Sequence, residues 1–306
     1  MIKAPYDDRD GFIWLDGALV AWREAKLHVL THALHYGSSV FEGERAYAGE
    51  VFKLTEHSER LAASARMMGF ALPLAVDDLD RACTEVLRAN DIVDGYIRPI
   101  AWRGSEMMAV SAQNTRIHLA IAAWRWPSYF SPEARLRGIR LKTAQWRRPP
   151  PDSAPVHAKA AGLYMICTLS KHAVEVEGYD DALMLDWRGL IAESTGANIF
   201  LVMGDGRLHT PTPDAFLDGI TRRTVIALAR EHGIEVVERH IRPEELAEAR
   251  EVFLTGTAAE VTPVREIDHN RFTPGEMTRT LMLAYETRTG QASARGGLDA
   301  AKAATG

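Results

Sequence analysis

Residues 153–172 read SAPVHAKAAGLYMICTLSKH. One lysine, Lys159, stands among four small residues, Ala158, Ala160, Ala161 and Gly162, after the triple proline that ends at Pro151. A helical-looking run follows, so a helix is expected to start at Lys159. A lysine that serves solubility is usually found among other polar residues. A lysine whose amine must reach a ligand needs neighbours that stay out of its way. Two readings therefore compete: an ordinary helix-start lysine, or an amine that forms a Schiff base. The second is open to a lysine because desolvation and nearby positive charge can lower its pKa enough to make it a nucleophile. The local sequence alone does not choose between them.

Composition narrows the classes. The chain has 306 residues, 46% apolar and 25% charged, which is ordinary for a globular protein with a large core and two domains. Net charge is −5 with both signs mixed throughout, so there is no basic field for nucleic acid and no polybasic membrane patch. Cys83 and Cys167 are the two cysteines, both in amphipathic runs, and are expected to be buried free thiols in a reducing compartment. The opening MIKAPYDDRDGF has no apolar signal core, and no apolar run is long enough to span a bilayer. The expected setting is cytoplasmic.

The order of elements predicts an α+β protein. In GFIWLDGALVAW, Asp16-Gly17 divides two strand-like runs, a strong hairpin signal, and GERAYAGEVFKL repeats it at Ala48-Gly49. TEHSERLAASARMMGF predicts a helix capped by Thr55, with Leu61, Ala62, Ala65 and Met68 on one face. DDLDRACTEVLRAND predicts a second, and YIRPIAWRG and RIHLAIAAWRW read as strands. Residues 1–125 form a smaller α+β domain on this reading, 126–138 a connection, 139–290 a larger α/β domain and 291–306 a disordered tail. In the larger domain, IRLKTAQW, IEVVERHI and EVFLTGT read as strands, and DALMLDWRGLIAEST and NIFLVMGDGRLHT as hairpins. ITRRTVIALAREHG, PEELAEAR and PGEMTRTLMLAYETRTG read as helices.

Other segments carry candidate chemistry. Glu193, in LIAESTGANIF, is either a turn carboxylate on the surface or a pocket acid that bonds a protonated ring nitrogen. In FLDGITRRTVIALARE, Gly219, Ile220 and Thr221 open a helix whose free N–H groups suit a phosphate. In FLTGTAAEVTP, Gly256, Thr257, Ala258 and Ala259 end a strand with small residues and a hydroxyl. Plain capping is the alternative at both places. His28, His32 and His35 have helical spacing, but apolar flanks and the absence of an HExxH pattern favour structural hydrogen bonds over metal.

Taken together, HALHYGSSVFEG, HSERL, YIRP, HAKAAGLY, AESTGANIF, DGITR and TGTAAEVTPV occur in the order seen in branched-chain amino-acid aminotransferases. The chain resembles that family from about Gly11 to about Thr289. The family belongs to fold type IV of the pyridoxal 5′-phosphate (PLP) enzymes. The resemblance implies a two-domain, D-amino-acid aminotransferase-like architecture, PLP as cofactor and at least a homodimer. It also implies transamination of leucine, isoleucine and valine with 2-oxoglutarate.

The same resemblance implies roles for individual residues. Lys159 would hold PLP covalently and shuttle the proton between substrate Cα and cofactor C4′. Glu193 would keep the pyridine nitrogen protonated and Tyr164 would partner the ring O3′. Arg60, Ile220, Thr221 and Thr257 match the phosphate cup, with Gly219 and Gly256 beside it, and Leu217 matches the residue packed on the ring. Thr257, Ala258 and Ala259 match the turn that takes the substrate α-carboxylate. Phe41, Tyr96, Arg98, Trp126 and Tyr129 match the side-chain pocket. The chain departs from the family pattern at Leu163, where many relatives have Asn, and at Glu44, often apolar in relatives. D-amino-acid and (R)-amine aminotransferases, aminodeoxychorismate lyases and a non-catalytic PLP-fold binding protein are the competing readings. YIRP with VFEG speaks for the branched-chain group.

Overall fold

The computed structural model describes residues 5–126 and 137–291. Tyr129, most of the 126–138 connection and the tail beyond Gln291 lie outside them. The described residues form two compact units, 5–126 with 158–162, and 137–157 with 163–291. Lys159 thus belongs to the first unit, although the sequence on either side belongs to the second.

The first unit is built on a seven-stranded antiparallel sheet in the order β2-β1-β7-β6-β4-β5, with β3 also on β6. Its strands are β1 (Phe12–Leu15), β2 (Ala18–Ala21), β3 (Ser39–Phe41), β4 (Glu44–Tyr47), β5 (Glu50–Val51), β6 (Gly95–Arg103) and β7 (Ile117–Arg125). The predicted hairpins form at both dipeptides. Asp16 and Gly17 take φ of 50° and 104°, and Ala48 and Gly49 take 52° and 85°. That left-handed pair matches the twist of the strands it joins. β6 and β7 pair in register from Gly95↔Arg125 to Arg103↔Ile117. Alternation then separates the faces. Ile97, Ala101, Leu119 and Ile121, all fully buried, share one face, and Tyr96, Arg98 and Trp124 share the other. The short α1 (His32–Tyr36) lies against β6. Helix α3 (Val76–Ala89) packs on β1, β6 and β7, and α2 (Leu54–Met67) packs on α3.

Two local expectations are corrected here. Thr55 is not the cap of α2. The helix begins at Leu54 after Lys53, which sits in the left-handed region at φ 54°. Thr55 instead donates its hydroxyl to Asp80 of α3 at 2.7 Å, tying the two helices together. Nor does a helix start at Lys159. Ala160 forms a β-bridge with Val40, a 3-10 turn covers Ala161–Tyr164, and α4 runs over Met165–Val176. The small residues around Lys159 let that strand-like passage come close. Gly162 lies so near Gly37 that a Cβ on Gly37 would meet its backbone at 3.2 Å.

The second unit carries a nine-stranded sheet. Its path is β10 (Ile191–Ser194), β9 (Asp181–Asp186), β8 (Ile139–Arg148), β15 (Glu260–Ile267), β14 (Ala249–Gly256), β11 (Asn198–Met203), β12 (Leu208–Pro211) and β13 (Val236–Arg239). β16 (Asn270–Arg271) lies on β15. β10 also pairs with β11 through Glu193↔Asn198, which closes the first six strands of the path into a ring. Alternate residues of those strands fill the interior: Leu141, Leu183, Ile191, Ile199, Leu254 and Val264 belong to one core cluster. Helices α4, α5 (Ile220–Glu231) and α6 (Glu276–Arg288) pack on the outside. PEELAEAR forms a 3-10 turn over Pro243–Glu248 in place of the predicted α-helix, its first turn closed by the Glu245 carboxylate on the Arg242 N–H. Cys83 and Cys167 are buried free thiols. No helix among the described residues is long and apolar enough to cross a membrane.

Candidate active site

In the first unit the site grows from three elements that meet at Lys159. The Phe41 N–H of β3 donates to the Lys159 carbonyl at 3.0 Å, and the Lys159 N–H donates to Ser64 Oγ of α2 at 3.0 Å. Phe41 therefore lies beside the lysine, whose Nζ stands 5.0 Å from the centre of its ring. Arg60 is one helical turn before Ser64, so the helix that holds the Lys159 backbone also presents a guanidinium to it. Burial, followed by the Arg60 charge, lowers the Lys159 pKa from that of an ordinary lysine.

Arg60 is held in turn by Glu42, which is wholly buried. Arg60 donates Nε to Oε1 at 2.6 Å and Nη2 to Oε2 at 2.8 Å, and His57 Nδ1 meets Oε2 at 2.7 Å. Burial would raise the Glu42 carboxyl, but Arg60 and His57 together hold it well below the usual carboxylate range. Burial also lowers the His57 pKa, which favours a neutral ring that donates to Glu42. Glu42 and His57 lie inside the motifs VFEG and HSERL, yet the sequence alone gives neither a role. The signal is a glutamate flanked by Phe41 and Gly43, where an apolar strand residue would be expected.

On the opposite sheet face from α3, Arg98 lies over Phe41 and Tyr96, with its guanidinium carbon 4.7 and 5.3 Å from the ring centres. Arg98 Nη2 donates to the Tyr96 hydroxyl at 3.1 Å. Trp126 packs on Tyr96 at a 40° tilt, with the ring centres 5.6 Å apart. No carboxylate among the described residues forms an ion pair with Arg98, and its Nε has no hydrogen-bond partner among them. Phe41, Arg60, Tyr96, Arg98, Trp126 and Lys159 thus all belong to the first unit. Tyr129 is outside the described residues.

In the second unit the bulge in β10 decides where Glu193 points. Ile191 pairs with Leu185, but Glu193 pairs with Met184, so one extra residue is inserted between them. Ile191 stays with the interior set while Glu193 is turned to the outer face, the re-aiming that a β-bulge produces. There it meets Arg148 from the end of β8, Nε to Oε1 at 3.4 Å, and the Asn198 amide, Nδ2 to Oε2 at 3.4 Å. Arg148 is 4% exposed. Its Nη1 also reaches the Leu163 carbonyl at 3.4 Å, next to Tyr164 at the end of the 3-10 turn. Burial alone would lower the Arg148 pKa, and the Glu193 charge together with Cys167 and Tyr164 more than offsets it. Burial, then the same carboxylate, pushes the Cys167 thiol up to about 11, which disfavours the thiolate. Arg148 lies in none of the quoted motifs, and Asn198 lies inside AESTGANIF without a role of its own. Their pairing with Glu193 depends on strand register.

The two segments expected to cradle anions lie at loop ends of this unit. Gly219 precedes α5, whose first residues are Ile220 and Thr221, and no side chain caps that helix start. The Leu217 carbonyl accepts from Asn198 Nδ2 at 3.0 Å and the Gly219 N–H donates to Asn198 Oδ1 at 3.2 Å. Thr257, Ala258 and Ala259 form the turn between β14 and β15, and Gly256 packs on the Gly196–Ala197 turn. Thr195 donates its hydroxyl to the buried Asp181 at 2.5 Å, which fixes the same turn. These donors suit a phosphorylated ring. A carboxylate, an uncapped helix start and a backbone turn lie on neighbouring loops.

His28, His32 and His35 each make hydrogen bonds within their own unit. His32 Nδ1 meets Ser38 Oγ at 2.6 Å and Nε2 meets the Ala109 carbonyl at 2.9 Å. His35 meets the Val29 carbonyl and His28 accepts from the Leu30 N–H. No group of residues suited to a metal ion occurs among the described residues.

Comparison with known proteins agrees with these features. The family described as Amino-transferase class IV matches residues 39–267. The branched-chain-amino-acid aminotransferase of Pseudomonas aeruginosa is 43% identical over 285 residues, covering 91% of this chain and 92% of its own. The structure of the T.th. branched-chain amino acid aminotransferase with pyridoxamine 5′-phosphate is similar at a TM-score of 0.88 and 41% identity, covering 92% and 95%. The same enzyme complexed with N-(5′-phosphopyridoxyl)-L-glutamate is similar at 0.87 and 40%, with the same coverage. The architecture is thus the two-domain α+β fold of type IV. By sequence, by fold and by the chemistry its two units present, this chain belongs to the class IV aminotransferases, among the branched-chain-amino-acid aminotransferases.

Proposed function

We propose that the protein transfers the amino group of branched-chain L-amino acids to 2-oxoglutarate, using PLP. The observation that carries this reading is Lys159, an amine with a lowered pKa whose backbone is clamped by β3 and α2 beside Arg60. PLP, when bound, supplies a protonated ring that takes up the electron pair left on the substrate Cα. Lys159 would hold the cofactor covalently. Its amine would also move the proton between the substrate Cα and C4′, and its lowered pKa would raise the fraction of free amine able to do so. Glu193 keeps a proton on the ring nitrogen and Tyr164 bonds the ring O3′. Arg60 and the N–H groups at Ile220 and Thr221 take the phosphate, with Gly219, Gly256 and Thr257 beside them. Leu217 packs on the ring.

The Thr257–Ala259 turn takes the α-carboxylate. Phe41, Trp126 and Tyr129 receive the apolar side chain, and Arg98 with Tyr96 receives the second carboxylate of glutamate. A homodimer is part of the proposal. Val29, Leu34, Tyr36, Met108 and Val110 are exposed apolar side chains, and the His32–Ala109 hydrogen bond brings their two segments together. A patch of this kind marks a protein interface.

Absorption spectra of the loaded protein test the reading. L-leucine and L-glutamate should each convert the cofactor spectrum, whereas D-alanine and (R)-1-phenylethylamine should not. Lys159→Ala should abolish turnover with the fold intact. Conversion by the D-amino acid or the amine, or turnover by Lys159→Ala within about tenfold of the parent, would overturn it.

A further inference from the structure

Asn198 is 4% exposed and uses both ends of its amide. Nδ2 faces Glu193 Oε2 at 3.4 Å and donates to the Leu217 carbonyl at 3.0 Å, while Oδ1 accepts from the Gly219 N–H at 3.2 Å. Its backbone is equally committed. Asn198 pairs with Glu193 on one side and with Thr255 on the other, and the Glu193 pair is the one that closes the ring of strands. Gly219 accommodates it, because a Cβ there would collide with Asn198 Oδ1. One side chain therefore joins the carboxylate to the loop that opens α5.

We propose that Asn198 is a positioning residue that couples the Glu193 carboxylate to the 217–219 loop, so that ring-nitrogen and phosphate recognition act as one unit. This rests on the roles proposed above for Glu193 and for the start of α5. The physical argument is geometric. The pyridine nitrogen and the phosphate of PLP are a fixed distance apart, so their protein partners must keep a matching separation. Arg148 holds Oε1 of the carboxylate from β8, and Asn198 supplies the link from Oε2 to the loop. When one cofactor contact is lost, the other is left in a loosened frame, and a second loss then costs less than it would alone.

The test is a binding cycle on the full-length protein stripped of cofactor. Dissociation constants are measured for PLP and for pyridoxal, which lacks the phosphate, with the parent and with Glu193→Gln. The cycle is repeated in Asn198→Ala and Asn198→Ser backgrounds, with thermal unfolding of the stripped protein as the check on folding. In the parent, the combined loss should fall short of the product of the two separate losses by about tenfold. In the Asn198 variants the two losses should multiply to within about twofold. A merely structural asparagine would lower all four affinities alike and leave the parent's non-additivity in place, and that result overturns the proposal. Additive losses already in the parent overturn it as well. If Glu193→Gln and removal of the phosphate each left binding unchanged, the underlying roles would be wrong, which is a different failure. Should Asn198→Ala fold poorly, Asn198→Ser, which keeps a small hydroxyl that can face Gly219, carries the comparison.

Discussion

Arg60 donates two hydrogen bonds to Glu42, at 2.6 and 2.8 Å, and the accepting carboxylate has no solvent exposure. Removing one partner of a buried pair strands the other. Glu42→Gln should cost about 3 kcal/mol of stability and weaken PLP more than pyridoxal, because Arg60 loses its anchor. The pH dependence has a definite sign. Arg60 and His57 overcome the effect of burial and depress the folded carboxyl, so its stabilisation is present above the unfolded value of 4.5 and is lost as pH falls toward the folded value. Urea unfolding through the acid range should show that decline in the parent and not in the variant.

Glu44, two residues along, behaves in the opposite way. Its register with Ile97 turns it to the helix-covered face, where it is fully buried. Neither oxygen has a conventional hydrogen-bond partner among the described residues, and the Cys83 thiol, a weak donor, is its neighbour. Burial, then Glu42 and Asp80, raise its pKa well above 4.5. Its contribution is thus fully present below 4.5 and is lost as pH rises through the folded value, by about 1.4 kcal/mol per unit. Glu44→Met should flatten that slope and raise stability above neutral pH by about 2 kcal/mol. Equal slopes in parent and variant would show that Glu44 is not a buried neutral acid.

Arg148 and Glu193 form a buried pair that sequence distance hides. Arg148→Met keeps the stem and removes the charge, so it should cost about 3 kcal/mol. The double variant Arg148→Met with Glu193→Gln should recover part of that loss, since neither charge is left without its partner. Chemical denaturation of the four proteins completes the cycle. Strictly additive losses would mean that the two groups do not interact.

Arg98 should separate the two kinds of substrate. Arg98→Leu leaves the apolar surface of Phe41 and Trp126 in place, so the half-reaction with L-leucine should be nearly unchanged. The half-reactions with L-glutamate and 2-oxoglutarate should weaken by about 2–4 kcal/mol. Single-turnover rates with each substrate decide it. Equal losses would assign Arg98 to structure.

Local sequence is enough for the hairpins at Asp16-Gly17 and Ala48-Gly49, because the glycine at the second turn position takes left-handed backbone freely and marks the turn between two strand-like runs. It is enough for α3 and for the mixture of strands and helices, because periodicity is local too. The cap expected at Thr55 and the helix start expected at Lys159 fail for one reason. A contact with a distant segment, Asp80 in one case and Val40 in the other, overrides the local preference. Family resemblance singles out Lys159 and Glu193 but leaves Glu42, Arg148 and Asn198 without roles. Residue order thus carries the side-chain types the chemistry needs and the elements that hold them. Which charge faces which is settled only in three dimensions. A bulge between Ile191 and Glu193 turns the carboxylate out of the barrel core, and the ring of strands brings Arg148 and Asn198 to its two oxygens. Strand register sets those pairings, and register is a property of chain segments far apart in sequence.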